Sequence, residues 1–297
     1  MTRMRRVLET IAANSKPRDG RTLMKRFAEM HFDNCPAGGQ GRKRNLGDVE
    51  AFLEFAVKKA GAPQRWLPPD KEFKRTLIGS STRTSAEALT VPVKGQDLEM
   101  LLEGLASNEK HGLRLCVGLI GLFGLRPSEL GELTVDDGKL YVGQTKRNMQ
   151  TLHKPKAPPR RVIAIDLPSL PNEGQRLIAQ YDSGIVKFPL AISRAIQRAK
   201  EKDEYKEIGD ALRQLLQRYW LWQSMEKRTQ GLKVYSLRHG FAWRAHKESE
   251  NPLTVRDASA FMGHDPQTHL KHYGRWVDEA GLEEAAAKFK KGQQVAA

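Results

Sequence analysis

Eleven consecutive residues, Leu115 to Leu125, carry no charged side chain and include three glycines. A helix that spans a bilayer needs about 20 such residues. A segment apolar all round yet too short to span predicts a helix buried on every side in a folded core. Such a helix needs a shell of amphipathic elements around it. At about 100–200 residues per domain, the 297-residue chain is long enough to supply that shell and suggests two domains. A mean hydropathy of −0.58 fits a chain with a generous polar surface.

The charge balance narrows the partner. Fifty Lys and Arg against 35 Asp and Glu leave +15, with an isoelectric point near 9.8. This excludes an acidic, solvating chain and points to a polyanion, nucleic acid before an anionic membrane surface. Residues 1–86 hold 18 basic and 9 acidic residues, a net of +9, and the other 211 residues hold 32 and 26. The excess is therefore concentrated in the first third. Cys35 and Cys116 are too few for a disulfide framework and sit in no zinc spacing, so a reducing, intracellular setting is expected. Met1-Thr-Arg-Met-Arg-Arg leads into an amphipathic stretch rather than an apolar one, so no signal peptide is expected.

Hydrophobic spacing predicts short helices in residues 1–86: one from Val7, one through Leu23, Phe27 and Met30, and one through Val49, Phe52 and Phe55 with Asp48 near its start. The Gly-rich segment 37–44 reads as a flexible basic loop. Residues 79–86 have linker composition. Beyond them the pattern predicts helices near 96–107 and 111–123. Strands follow at Leu140–Val142 and Val162–Ile165, flanking a long basic excursion, and the chain is helical again from about 172. Helix breaks are expected near 181–188, 230–235, 250–252 and 263–266. There is no internal repeat, no Walker loop, no GxGxxG and no HExxH.

Three stretches carry candidate chemistry. In Gly124-Leu-Arg126-Pro127-Ser128-Glu129-Leu130, Gly124 suits a helix end and Pro127 the first turn of the next helix. Arg126 then lies beside free backbone N–H groups, a natural seat for a phosphate, and Glu129 is one turn on, placed to hold the guanidinium. Taken alone, the stretch equally fits a surface ion pair. In Tyr235-Ser-Leu-Arg238-His239-Gly-Phe241, Tyr235 and Arg238 share a helix face and Leu237 and Phe241 form the buried one. Taken alone, Arg238 is one more helical arginine. In Phe261-Met-Gly-His264-Asp265-Pro266, Gly263 ends one helix and Asp265 caps the next, which puts His264 in a tight turn and Tyr273 about two turns beyond. His264, His269 and His272 lack the spacing of a metal site, and no metal is expected.

Together the stretches are far more specific than singly. Arg126, then 112 residues to Arg238, 26 to His264 and nine to Tyr273, is an order and spacing that resembles the tyrosine recombinase (phage integrase) family. The resemblance spans about 93–297, and more loosely the N-terminal block, which looks like that family's helical core-binding domain. It implies a mainly helical fold with a small β-sheet. Residues 1–86 would be the core-type DNA-binding domain and 87–297 the catalytic domain, closing on DNA as a C-shaped clamp.

The resemblance also implies a chemistry. A tyrosine attacks a DNA phosphodiester, forms a 3′-phosphotyrosine and releases a 5′-hydroxyl, and a second strand reverses the step. The bond energy stays in the covalent link, so no cofactor is expected. Arg126 and Arg238 match the arginines that fork onto the phosphate, Tyr273 the nucleophile and His264 a hydrogen-bond donor to the phosphate. Lys146, after the first strand, best matches the family's hairpin lysine, the general acid, with Lys154 and Lys156 in the same excursion. Tyr235 stands where the family usually has histidine, and a neutral phenol is a poor base near pH 7. His239 is read as structural.

Arg42, Lys43, Arg44, Lys71, Lys74 and Arg75 are expected to contact the DNA backbone, although a solvated charged face fits them nearly as well. Tyr219, Trp220 and Trp222 suit core packing better than base stacking. Helix 277–291, with an apolar stripe, suits docking on a neighbouring protomer or on its own core. The expected assembly is a homotetramer on double-stranded DNA, monomeric when free, with room for accessory DNA-bending proteins and none for a membrane. The resemblance places it in a bacterial host's cytoplasm, at the nucleoid, integrating or excising a mobile element. Type IB topoisomerase-like or resolvase activity is the related alternative, and DNA binding without catalysis the distinct one.

Overall fold

The computed structural model describes residues 2–13, 16–80, 91–145, 155–249, 251–276 and 283. The chain divides into two compact units, Met1–Ala88 and Leu89–Ala297.

The first unit contains α1 (Thr2–Ala12), α2 (Gly20–His31), α3 (Gln40–Lys58) and α4 (Lys71–Ile78). Asp19 starts α2 through a reciprocal cap with Thr22, and Asp70 starts α4 by accepting from the Phe73 N–H at 2.7 Å. Val7, Leu23, Met24, Phe27, Leu46, Val49 and Leu53 close a small apolar core. One expectation is corrected here. Residues 40–44 are not a loop but the first turns of α3, which begins eight residues before Asp48. The cause is tertiary. The Arg42 guanidinium donates to the carbonyls of Cys35 at 2.8 Å and Leu77 at 3.3 Å, and lies over the Phe32 ring. These contacts pin the segment to its own unit.

The second unit is built around the predicted buried helix. Every residue of α6 (His111–Phe123) from Leu113 to Phe123 is buried. Its glycines set how closely neighbours approach: a Cβ on Gly118 would meet Leu177, and one on Gly121 would meet Leu98. Those leucines belong to α7 (Glu173–Asp182) and α5 (Gly95–Ser107), which flank it.

A three-stranded antiparallel sheet follows α6, in the order β1 (Leu133–Asp136), β2 (Lys139–Val142), β3 (Arg160–Arg161). Leu133 pairs with Val142, and Val142 also pairs with Arg160. The Asp137-Gly138 turn has positive φ at both residues, as a tight hairpin requires. That dipeptide marks β1, which the sequence reading passed over. The strand expected at Val162–Ile165 lies two residues earlier. Val162 still donates to Leu140, but Ile165 turns its N–H to the Leu122 carbonyl at the end of α6, and the chain leaves the sheet.

α8 (Leu190–Lys202), α9 (Lys206–Gln217) and α10 (Trp220–Arg228) complete the shell. Tyr219 and Trp222 enter the core while Trp220 stays exposed. α11 (Tyr235–Trp243) runs into one π-helical turn at Arg244–Glu248, and α12 (Val255–Met262) and α13 (Pro266–Tyr273) close the described chain. Among the described residues no helix is long and apolar enough to cross a membrane. The expected helix 277–291 lies outside the described residues apart from residue 283.

Candidate active site

Two helix ends create the site. α6 and α12 each stop at a glycine in the left-handed conformation, Gly124 at φ 65° and Gly263 at φ 66°. The carbonyls left over at a helix C-terminus carry partial negative charge and attract cations. Three arginines collect there. Arg238 on α11 donates to the Gly124 carbonyl at 2.5 Å and the Met262 carbonyl at 2.6 Å. Arg126, just past α6, donates to the Gly263 carbonyl at 2.8 Å. Arg160 on β3 donates to the Phe261 carbonyl at 3.1 Å.

One carboxylate binds the cluster together. Glu129 is 1% exposed. It takes Arg126 at 2.6 Å and Arg160 at 2.8 Å, with Arg238 at 3.9 Å. Burial alone would raise its carboxyl, but Arg160, then Arg238 and Arg126, outweigh that and hold it below the ordinary range. Three cations and one anion leave a surplus of positive charge, which suits an anionic ligand. Glu129 also accepts from the Arg126 backbone N–H at 2.7 Å. That corrects the expectation of a free N–H beside Arg126. Glu129 itself caps the turn, and the segment Pro127–Gly131 is a short 3-10 helix rather than a full one.

The histidines form an ordered chain. Arginine can only donate, so Arg238 at 3.0 Å makes His264 Nδ1 an acceptor. His264 then carries its proton on Nε2 and donates to His269 Nδ1 at 2.9 Å, and His269 Nε2 donates to His246 at 2.7 Å. His246 donates onward to the Leu253 carbonyl. Both His264 nitrogens are therefore occupied, and in this arrangement the side chain steadies Arg238 rather than offering a donor to a phosphate. Burial, then the charge of Arg238, pushes His264 down to about 3. Burial, then His246, pushes His269 down to about 4.

This neutral chain predicts acid sensitivity. An unfolded histidine takes a proton near 6.5, whereas these two resist it until pH 3–4. The unfolded state binds more protons throughout that window, so stability is full above about 6.5 and falls as the pH drops toward 4. Urea midpoints against pH are expected to show that slope, and His269→Gln is expected to flatten it.

Tyr273 ends α13 with its ring buried against His269 and Trp276. Burial raises its phenol to about 12, against the pull of the Arg238 charge. The hydroxyl also lies 3.0 Å from His239 Nδ1. Tyr235 is 41% exposed. Its ring meets His239 edge-on. A cavity of about 520 Å³ opens over the cluster, bordered by Arg126, Glu129, Thr145, Arg160, Gly263 and Asp265. Among the described residues, no group of three His, Cys, Asp or Glu side chains is arranged to hold a metal ion.

Comparison with solved structures identifies the fold. The integrase of transposon Tn1549, in complex with transposon right end DNA, superposes with a TM-score of 0.61 at 13% identity, covering 97% of this chain and 92% of that one. A λ integrase dimer bound to a COC′ core site gives 0.54 at 14% identity, covering 94% and 89%. The XerH site-specific recombinase bound to palindromic difH substrate gives 0.50 at 13%, covering 92% and 72%. The chain has the tyrosine recombinase fold. No family model and no curated protein matches the sequence.

Within that recombinase fold the structure gathers Arg126, Glu129, Tyr235, Arg238, His264 and Tyr273 into one site. Lys146 and Lys154 lie outside the described residues, although Thr145, directly before Lys146, lines the cavity. Lys156 pairs with Asp203 at 2.9 Å. Arg160 was missed by the sequence reading, where the Arg160-Arg161 pair was one more piece of a basic excursion. His239 was read as structural, and its place at the Tyr273 hydroxyl went unseen. The expected DNA contacts divide. Lys43, Arg44, Lys71 and Arg75 are exposed. Arg42 donates to a carbonyl of its own unit and Lys74 pairs with Glu50.

Proposed function

We propose that this chain is a site-specific DNA recombinase that cuts and rejoins strands of double-stranded DNA through a 3′-phosphotyrosine at Tyr273. The observation that carries the reading is the convergence of residues far apart in sequence: Arg126 and Arg238 share Glu129, Arg238 donates to His264, and the His264 ring lies 6.3 Å from that of Tyr273. The solved structures of the same fold are complexes with DNA, which supports a duplex as the partner.

In this reading Arg126 and Arg238 take the non-bridging oxygens of the scissile phosphate, and Arg160 adds charge at the cavity rim. Charge builds on those oxygens as Tyr273 attacks. Guanidiniums already held by helix carbonyls and Glu129 need little reorganisation to meet it. Arg238 also lowers the cost of tyrosinate. Lys146 is the general acid for the departing 5′-oxygen. Lys43 and Arg75, beside one surface cavity of the first unit, contact the DNA backbone. The chain works as a homotetramer on DNA and a monomer off it, integrating or excising a mobile element in a bacterial cell.

The test is covalent capture. Wild type and Tyr273→Phe are incubated with nicked, fragmented DNA, denatured in detergent and probed for protein that carries DNA. Adducts with wild type alone support the reading. Adducts with both sink the choice of tyrosine, and salt-sensitive binding with no adduct leaves a DNA-binding protein without chemistry. The double substitution Lys43→Glu, Arg75→Glu is expected to weaken binding uniformly across sequences. It should also reduce the slope of log affinity against log salt by about 2.

A further inference from the structure

Phenol chemistry at neutral pH needs a partner for the proton, and the candidates around Tyr273 can be taken in turn. Tyr235 is a neutral phenol. His264 has its Nδ1 lone pair on Arg238 and its Nε2 proton on His269. His269, stacked edge-on against the Tyr273 ring, has both nitrogens committed to His264 and His246. His272 lies on the same helix with its ring centroid 6.1 Å from that of Tyr273. His239 is different. Its Nδ1 is 3.0 Å from the Tyr273 hydroxyl. With the His239 proton on Nε2, the Tyr273 hydroxyl donates to Nδ1 across that distance.

We propose that His239 is the general base for Tyr273, accepting the phenol proton on Nδ1 as the oxygen attacks phosphorus. The proposal rests on the phosphotyrosine reading above. The Tyr273 oxygen forms a bond to phosphorus, the bond from phosphorus to the 5′-oxygen breaks, and that oxygen takes a proton from the general acid. His239, now imidazolium, returns its proton to the tyrosine oxygen when a 5′-hydroxyl reverses the step. Burial, then Arg238 and His272, holds the imidazole down to about 3 in the free protein. A bound phosphodiester brings negative charge to Arg238 and offsets that part of the depression. Tyr235, packed edge-on against His239, then supports the base instead of acting as one.

Two measurements on the full chain test this. Ring ¹⁵N spectra of the wild type are expected to show His239 neutral with its proton on Nε2. A neutral ring with its proton on Nδ1 in the free protein overturns the proposal. The second uses duplexes recovered covalently by the wild type. His239→Asn keeps a hydrogen-bond acceptor but no base. It is expected to form adducts about 10²–10⁴-fold more slowly at pH 7, and to gain about tenfold per pH unit toward pH 10 as hydroxide replaces the base. A 5′-bridging phosphorothiolate, whose sulfur leaves without a proton, is expected not to restore it, because only a defect in the general acid is repaired that way. His239→Gln repeats the series should the asparagine variant fold poorly. A variant as fast as wild type, a loss equal at every pH, or rescue by the phosphorothiolate each overturns the assignment. Absence of any wild-type adduct instead removes the phosphotyrosine reading beneath it.

Discussion

Arg238→Ala is expected to slow adduct formation by about 10³-fold or more under single-turnover conditions. Removing one donor from a preorganised anion site costs about 10²–10³. Arg238 does more than donate, because its charge also favours the Tyr273 phenolate and it anchors the histidine chain through His264. Arg238→Lys is expected to recover little. An ammonium has no planar fork to span the Gly124 and Met262 carbonyls and still face a phosphate. The alanine variant is also expected to unfold earlier in urea, by about 1–3 kcal/mol for each carbonyl left unpaired. Relief of the repulsion between Arg238 and Arg126 offsets part of that loss. Wild-type cleavage by the alanine variant would contradict the site as drawn here.

Glu129→Gln is expected to destabilise the fold by about 3–5 kcal/mol. Removing one partner of a buried ionic cluster leaves the others uncompensated. Here three guanidiniums would face one another with no carboxylate between them. The same group sets an acid limit. Its folded carboxyl titrates below its unfolded value near 4.3. Its contribution is therefore complete above that value and lost as the pH falls through the folded one. Wild type is expected to lose stability in two stages on acidification, first with the histidines and then with Glu129. In Glu129→Gln the second stage should shrink to the part left by the other carboxylates with lowered values, Asp19 and Asp265 among them. Urea unfolding from pH 7 to pH 3 separates the two.

Much of this was legible in one dimension because it is local. Gly124 and Pro127 punctuate the chain around Arg126, and Glu129 sits one turn away, so the ion pair follows from backbone geometry alone. Gly263, Asp265 and Pro266 end α12 and start α13 in the same way, and Asp265 does accept from Thr268. Leu237 and Phe241 are buried at the expected spacing. Even the strand that was passed over, β1, was announced by Asp137-Gly138.

The misreadings share a cause. Arg42 looked like a loop cation because the carbonyls that claim it, on Leu77 and Ile78, are 35 and 36 residues away. Arg160 looked like one more basic residue because Glu129 reaches it across 31 residues. The contact of His239 with Tyr273 left no mark in the sequence because the two are 34 residues apart. Val162–Ile165 looked like a strand because nothing local says that Ile165 will turn to α6.

Residue order alone determined the mainly helical class, the buried central helix, the basic character, and the spaced series Arg126, Arg238, His264 and Tyr273. Helix periodicity, capping chemistry and turn residues act over a few positions and leave their mark in the sequence. Only the tertiary structure decided that two helix C-termini would meet, that three arginines would share one carboxylate there, and that the histidine beside Arg238 would face the tyrosine. Charge and proton relations of this kind depend on distances of about 3 Å between groups far apart in the chain, and those distances exist only once the core has closed around α6.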